Sequence, residues 1–321
     1  MRNIKHFLKN KYLFHFMSTI LITGSSGTIG TELFRVLVDE GYNVIGVDKR
    51  PNIWYKDLNK KTVLMDLTKQ SHFRKINKKD IGLVIHLAAN ARVYSLVKNP
   101  KLAKENVLST FNILEFMRKN KIKKFIFASS REVYGNNENY VKEEDVDIKK
   151  CESPYTSSKI SGEAFTYAYN KCYDIDFVII RYSNVYGKYD LQDRLIPIYL
   201  SRAVKNLPLY VYGKEKALDF TYIADAITGT KKIIEKYDKV KGDVFNISSG
   251  IKTKIIDIAR KIKEITGSKS EIIIKDNRPG EIMSYVGDIS KARKLLSYEP
   301  KYDIDKGLKL TYEWYKEMDV L

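Results

Sequence analysis

Short apolar runs alternate along this chain with longer stretches in which apolar side chains return every three or four residues. Ile20-Leu21-Ile22, Asn43-Val44-Ile45-Gly46-Val47, Leu83-Val84-Ile85-His86-Leu87, Phe125-Ile126-Phe127-Ala128 and Phe177-Val178-Ile179-Ile180 predict strands. Residues 29–40, 102–120 and 155–173 predict helices between them; in the second, Val107, Phe111, Leu114 and Met117 carry the period. Strands that are apolar throughout have both faces covered, and a repeated strand–helix order makes them parallel. The pattern predicts an α/β chain built on a doubly wound parallel sheet.

After Arg181 the rhythm changes. Residues 184–222 read as loop-rich, punctuated by Pro197, Pro208 and Gly213. A helix over 225–237, a strand at Val244-Phe245-Asn246-Ile247, a helix over 253–267 and a strand at Glu271-Ile272-Ile273-Ile274 follow. Arg278-Pro279-Gly280-Glu281 is a turn, and the end is helical. These separated pieces predict a smaller lobe over the carboxyl ends of the parallel strands, where open α/β sheets bind ligands. The expected division is an extension (1–16), a sheet domain (17–183, with 222–250 returning to it) and a substrate lobe (184–221 and 251–321).

Composition narrows the class. A chain of 321 residues with 44% apolar content is long enough for a large core and too apolar for disorder. It lacks an apolar run of about 18 residues, so no membrane span is expected. Cys151 and Cys172 match no metal spacing; they are expected to be reduced structural thiols, with no bound metal. The net charge is +18, but the lysines are scattered and no aromatic–basic RNA motif is present. Nucleic acid is therefore not the expected partner, and the positive field suits an anionic substrate. Met1 to Phe16 mixes Arg2, Lys5, Lys9 and Lys11 with Ile4, Phe7, Leu8, Leu13 and Phe14. It lacks the longer apolar core and the small-residue cleavage site of a signal peptide. It reads as a dispensable extension, with an interfacial amphipathic helix as the alternative.

The chemistry starts at the first strand. Thr23-Gly24-Ser25-Ser26-Gly27-Thr28-Ile29-Gly30 leads from a strand into a helix. Its glycines allow a tight turn and bring backbone N–H groups against a pyrophosphate at the positive helix end. This is a Rossmann-type dinucleotide fingerprint, although its spacing is Gly-x-x-Gly-x-x-Gly rather than Gly-x-Gly-x-x-Gly. Asp48 ends the second strand, where a carboxylate accepts hydrogen bonds from a ribose 2′-hydroxyl and repels a 2′-phosphate; it favours NAD over NADP. Lys49 beside it pulls the other way. Asp66-Leu67 stand where an adenine is held, with a helix cap as the plainer role for Asp66.

Farther on, Ser129-Ser130 end a buried strand, and Tyr155 and Lys159 lie four residues apart on a helix. Positions i and i+4 share a helix face, so the ammonium can sit beside the phenol. A free tyrosine has a pKa near ~10, and a nearby cation favours its phenolate. That combination suits removal of a proton from an alcohol while its hydride leaves.

With His86-Leu87-Ala88-Ala89, Val133-Tyr134-Gly135, Arg181-Tyr182-Ser183-Asn184-Val185-Tyr186-Gly187 and Asp219-Phe220-Thr221-Tyr222-Ile223, these segments resemble the extended short-chain dehydrogenase/reductase family. Within it the chain is similar to the nucleotide-sugar epimerases and dehydratases. The resemblance implies that Tyr155 is the base, that Ser130 guides the proton and that Lys159 also binds the nicotinamide ribose. It further implies cofactor contacts from Leu87, Ala88, Ala89 and Asn106, a diphosphate-side role for Asn184, and a four-helix homodimer through 102–120 and 155–173. Arg278 is expected to hold diphosphate oxygens and Glu281 a nucleotide ribose, a salt bridge between these two being the plainer alternative. Relatives often carry arginine where this chain has Leu218; Lys214, Lys216 and Arg194 are the candidates to replace it.

Ser130-Arg131-Glu132 separates the possible reactions. In the 4,6-dehydratases of the family this place reads Thr-Asp-Glu, with the Asp as acid and the Glu as base. Arginine is always charged and cannot be that acid. Expected catalytic groups are Ser130, Tyr155, Lys159 and Glu132. The expected activity is NAD-dependent C4 epimerisation of a UDP-glucose or UDP-galactose type of sugar in the cytoplasm. A dehydratase or decarboxylase is second, and a non-catalytic NAD sensor third.

Overall fold

The computed structural model describes residues 18–191 and 194–321; the expectations for residues 1–16 lie outside the described residues. Seven parallel strands make the central sheet: β1 (Thr19–Thr23), β2 (Val44–Asp48), β3 (Thr62–Leu64), β4 (Ile81–His86), β5 (Lys124–Ser130), β6 (Asp176–Tyr182) and β7 (Val244–Ile247). Their spatial order is β7-β6-β5-β4-β1-β2-β3. The order reverses between β1 and β4, and the crevice at their carboxyl ends is the binding position of such sheets.

Four helices matter most for the site: α1 (Thr28–Asp39), α2 (Lys101–Lys119), α3 (Pro154–Tyr173) and α4 (Ile223–Glu235). Alternation along each strand feeds two cores. Ile20 and Ile22 join Leu33, Phe34 and Leu37 of α1, whereas Leu21 joins Ile113, Leu114 and Met117 of α2. Covering on both sides is why the strands read as unbroken apolar runs. β5 extends past its apolar run because Ser129 and Ser130 still pair with Arg181 and Tyr182 of β6. α3 begins at Pro154, a favoured first helical residue, and the Ser153 hydroxyl caps the Thr156 N–H at 3.2 Å.

The stretch 184–222, expected to be loop-rich, is more regular than that. It holds strands Asn184–Tyr186, Leu209–Tyr212 and Ala217–Tyr222 and helix Leu195–Val204. Pro197 lies in the first turn of that helix, where a missing N–H costs nothing. Strand Ala217–Tyr222 pairs with Asn184–Tyr186 on one side and Lys252–Lys254 on the other, and Leu209–Tyr212 pairs with Ile272–Lys275. This lobe sits beside the ends of β5 and β6, because Asn184–Tyr186 follows β6 after one residue.

Candidate active site

The glycine loop folds tightly over the carboxyl end of β1. Gly24 has φ 71° and a side chain there would meet the Ala88 backbone at 2.8 Å, so loop and strand-end turn touch. A Cβ on Gly30 would lie 2.0 Å from the Gly24 carbonyl oxygen. No side chain caps α1 behind Gly27, leaving Thr28, Ile29 and Gly30 to present their N–H groups to an anion. The Ser25 and Ser26 hydroxyls are buried and have no hydrogen-bond partner among the described residues. Unpaired hydroxyls at an uncapped helix start fit a pyrophosphate. Gly30→Ala is expected to cost about 1–3 kcal/mol of stability and to weaken NAD binding, read by chemical denaturation and by NAD titration.

Asp48, the last residue of β2, accepts from the Ser26 N–H at 2.9 Å and the Arg50 N–H at 3.0 Å, at the edge of this cradle. Lys49 turns toward Asp66 at 3.4 Å and Glu105 at 3.6 Å, so its charge is engaged by carboxylates. Asp66 closes a two-residue turn onto the Thr68 N–H rather than capping a helix. Leu67 is buried, and its carbonyl accepts from Asn112. The Leu87 N–H continues the β1 ladder to the Thr23 carbonyl, and the Ala88 N–H reaches the Thr23 hydroxyl; Ala89 lies next in this turn. Asn106 on α2 fastens the turn from below, through both backbone groups of Asn90 and the Ser158 hydroxyl of α3.

His86 stands in the segment His86-Leu87-Ala88-Ala89 without an expected role of its own. Its ring lies between the Thr23 and Thr110 hydroxyls, 2.7 and 3.2 Å away. Burial, and secondarily the Lys159 charge, push its pKa down to about 3. It is a neutral strut under the glycine loop.

Ser130, Tyr155 and Lys159 converge beside this crevice. The Tyr155 ring is buried against Leu96 and Ala103. Burial pushes the phenol up to about 12, and the nearby Ser130 hydroxyl pulls it part of the way back. The ammonium of Lys159 was expected to depress the phenol directly. Instead it donates to the Ala128 carbonyl at 2.7 Å and stands 5.7 Å from the Tyr155 ring centre. Helix spacing gave the right face, but the carbonyl at the end of β5 captures the ammonium.

Burial pushes Lys159 down to about 8 from 10.5. The unfolded chain therefore holds more protons than the folded one between those pH values, and this group's penalty fades as pH rises through them. Below pH 8 the penalty is about 3 kcal/mol. Lys159→Met should melt higher than wild type at pH 7, with the gap narrowing by pH 10, even after losing one hydrogen bond; melting curves at the two pH values check this.

Glu132 is buried and ion-paired to Arg131, Oε1 to Nη2 at 2.7 Å. Burial raises its pKa and the Arg131 charge opposes that rise. Asn184 accepts from Arg131 Nε at 3.2 Å and donates to the Asp219 carbonyl at 2.7 Å. Glu281 pairs with Lys216 at 2.7 Å, while Arg278 is 3.9 Å away. Lys216 is thus committed to a carboxylate. Arg278 stands over the Tyr212 ring, 3.8 Å from its centre, with its side chain 34% exposed and open to an anion. Arg194 approaches Asp190 at 3.6 Å.

A dinucleotide cradle at a topological switch point, with a serine, phenol and ammonium beside it, defines an alcohol-oxidising enzyme of the short-chain dehydrogenase/reductase type. The chain belongs to the NAD dependent epimerase/dehydratase family, whose profile matches residues 20–248. It is 34% identical to a putative UDP-glucose 4-epimerase of Methanocaldococcus jannaschii over 92% of this chain and 98% of that one. Bovine dTDP-D-glucose 4,6-dehydratase is 29% identical over 94% of this chain and 90% of its own length. The crystal structure of UDP-glucuronic acid 4-epimerase from Bacillus cereus, in complex with UDP-glucuronic acid and NAD, superposes with a TM-score of 0.85 at 30% identity, covering 94% of this chain and 99% of that one. The enzyme is NAD-dependent, and the cradle described above fits that cofactor.

Proposed function

We propose that this enzyme inverts C4 of a nucleotide-activated hexose, of the UDP-glucose or UDP-galactose type, through a transient 4-keto sugar. The observation that carries this reading is the Ser130 hydroxyl set close enough to the buried Tyr155 phenol to lower its pKa, next to the NAD cradle, with Arg131 standing where elimination needs an acid. Tyr155 accepts the proton of the 4-hydroxyl, and Ser130 orients that hydroxyl toward it. Bound NAD supplies a hydride acceptor and donor at C4 and a positive ring charge that favours the phenolate. Lys159 fixes the nicotinamide ribose from the same helix face. After the ketone turns over in the pocket, Tyr155 returns the proton to the epimeric hydroxyl.

In this reading Gly24, Gly27, Thr28, Ile29 and Gly30 hold the pyrophosphate, Asp48 the adenine ribose, and Asp66 and Leu67 the adenine side. Arg278 takes the substrate diphosphate from across the lobe. Residues 17–183 and 222–250 carry the cofactor, and 184–221 with 251–321 the sugar nucleotide. Free Cys151 and Cys172 thiols and a charged substrate class favour the cytoplasm. Leu108 and Phe111 of α2 and Tyr167 and Tyr173 of α3 are exposed on neighbouring helices, a face that suits a second copy. Light scattering at micromolar concentration should give twice the chain mass; a monomer mass contradicts the dimer.

Incubation with NAD and a panel of UDP-, GDP-, CDP- and dTDP-sugars tests the function. A product of equal mass is expected. Loss of water or carbon dioxide establishes the dehydratase or decarboxylase reading, which the retained Glu132 keeps as second. Tight NAD binding without turnover of any sugar establishes the sensor.

A further inference from the structure

We propose that Arg131 and Glu132 form one specificity-determining pair that selects a sugar bearing a neutral hydroxyl, rather than a carboxylate, next to the reacting carbinol. The proposal rests on the reading of this site as a nucleotide-sugar epimerase.

The pair follows Ser130 directly, and its side chains are only 9% and 4% exposed. The ion pair uses Arg131 Nη2 and Glu132 Oε1. Arg131 Nη1 and Glu132 Oε2 are shielded from solvent and have no hydrogen-bond partner among the described residues. A buried donor and a buried acceptor left unmade are costly, and their persistence calls for a group that completes them. The guanidinium is held on more than one side. Its Nε is held by Asn184, Asn184 is held by the Asp219 carbonyl, and the fully buried Tyr285 ring lies 5.7 Å away.

The pair adjoins Ser130 in the chain. Both charges act on the Tyr155 phenol, Glu132 raising its pKa and Arg131 lowering it. What remains is one donor and one acceptor inside a pair of zero net charge. A hydroxyl both donates and accepts, so it can meet either atom without adding a charge. A carboxylate only accepts; it would meet Nη1 while setting a like charge against Oε2. The neighbouring Lys216 does not rebalance the site toward an anion, because it is paired with Glu281 at 2.7 Å.

The test compares UDP-glucose with UDP-glucuronate on the NAD-loaded enzyme, by calorimetric Kd and by kcat/KM. Wild type should favour UDP-glucose by about tenfold or more. Glu132→Gln removes the repelling charge and leaves Arg131 with an uncompensated one, so the preference should move at least tenfold toward UDP-glucuronate. Arg131→Met should shift it in the opposite direction. A role in folding alone would weaken both sugars equally, and NAD affinity reports whether each variant is intact. A wild type that prefers UDP-glucuronate, a preference unmoved by Glu132→Gln, or failure to bind either sugar overturns the assignment. Discriminating binding without turnover contradicts the epimerase reading and leaves the pair's selectivity standing.

Discussion

Tyr155→Phe is expected to lower turnover by about 10²- to 10⁴-fold, the usual worth of a positioned acid–base group, with NAD affinity little changed. The reason is local. The ring is 7% exposed and packs on Leu96 and Ala103, so phenylalanine keeps every apolar contact. What disappears is the phenol oxygen beside the Ser130 hydroxyl. Among the described residues the candidate substitute bases are engaged elsewhere: Lys159 is tied to the Ala128 carbonyl, Glu132 to Arg131, and His86 is enclosed by two threonines. The measurement is kcat for the C4 isomer pair beside an NAD titration. Residual activity above one-tenth of wild type would remove Tyr155 from its role.

Glu163→Ala is expected to destabilise the fold by about 3–5 kcal/mol. Glu163 lies two helical turns beyond Tyr155 on α3 and grips Arg181 of β6 with both oxygens, at 2.9 and 2.7 Å. The Ser129 hydroxyl of β5 donates to the same carboxylate at 2.5 Å, and Arg181 Nη1 reaches the Tyr134 hydroxyl and the Glu143 carbonyl. The two side chains are only 4% and 8% exposed, so the truncation strands a buried guanidinium. Breaking the exposed Arg260–Asp257 pair should cost under about 1 kcal/mol in the same urea titration. Equal losses for the two variants would contradict the role given to burial. This network fastens α3, which carries Tyr155 and Lys159, to the strand that ends in Ser130, so lost stability should be accompanied by lost activity.

The parts legible in the sequence were those governed by local rules. Each sheet strand is covered on both faces, so Ile20-Leu21-Ile22 and its counterparts announce themselves as unbroken apolar runs. The glycine loop is legible because backbone closeness, as between Gly30 and the Gly24 carbonyl, leaves glycine as the one residue that fits. Edge strand β3 was not recognised: Thr62–Leu64 is three residues long and incompletely buried, with no period to read. The lobe strands of 184–222 are similarly short. Pairings across the chain left no sequence trace. Lys216 and Glu281 are 65 positions apart, and Arg181 gives no sign that its partner is Glu163. The spacing of Tyr155 and Lys159 fixed a shared face, but the direction of the ammonium depends on a carbonyl from another element. Arg131 was visible as the loss of an acid; its ion pair with Glu132, and the two atoms left over, required the structure.

The central claim is that the hydrogen at C4 leaves and returns within the closed site while Tyr155 handles only the hydroxyl proton. Turnover of UDP-glucose with NAD in deuterium oxide, followed by NMR and mass spectrometry, tests it most directly. The expected product is UDP-galactose of unchanged mass with no deuterium on carbon. Deuterium at C5, or a product lacking water or carbon dioxide, would contradict it.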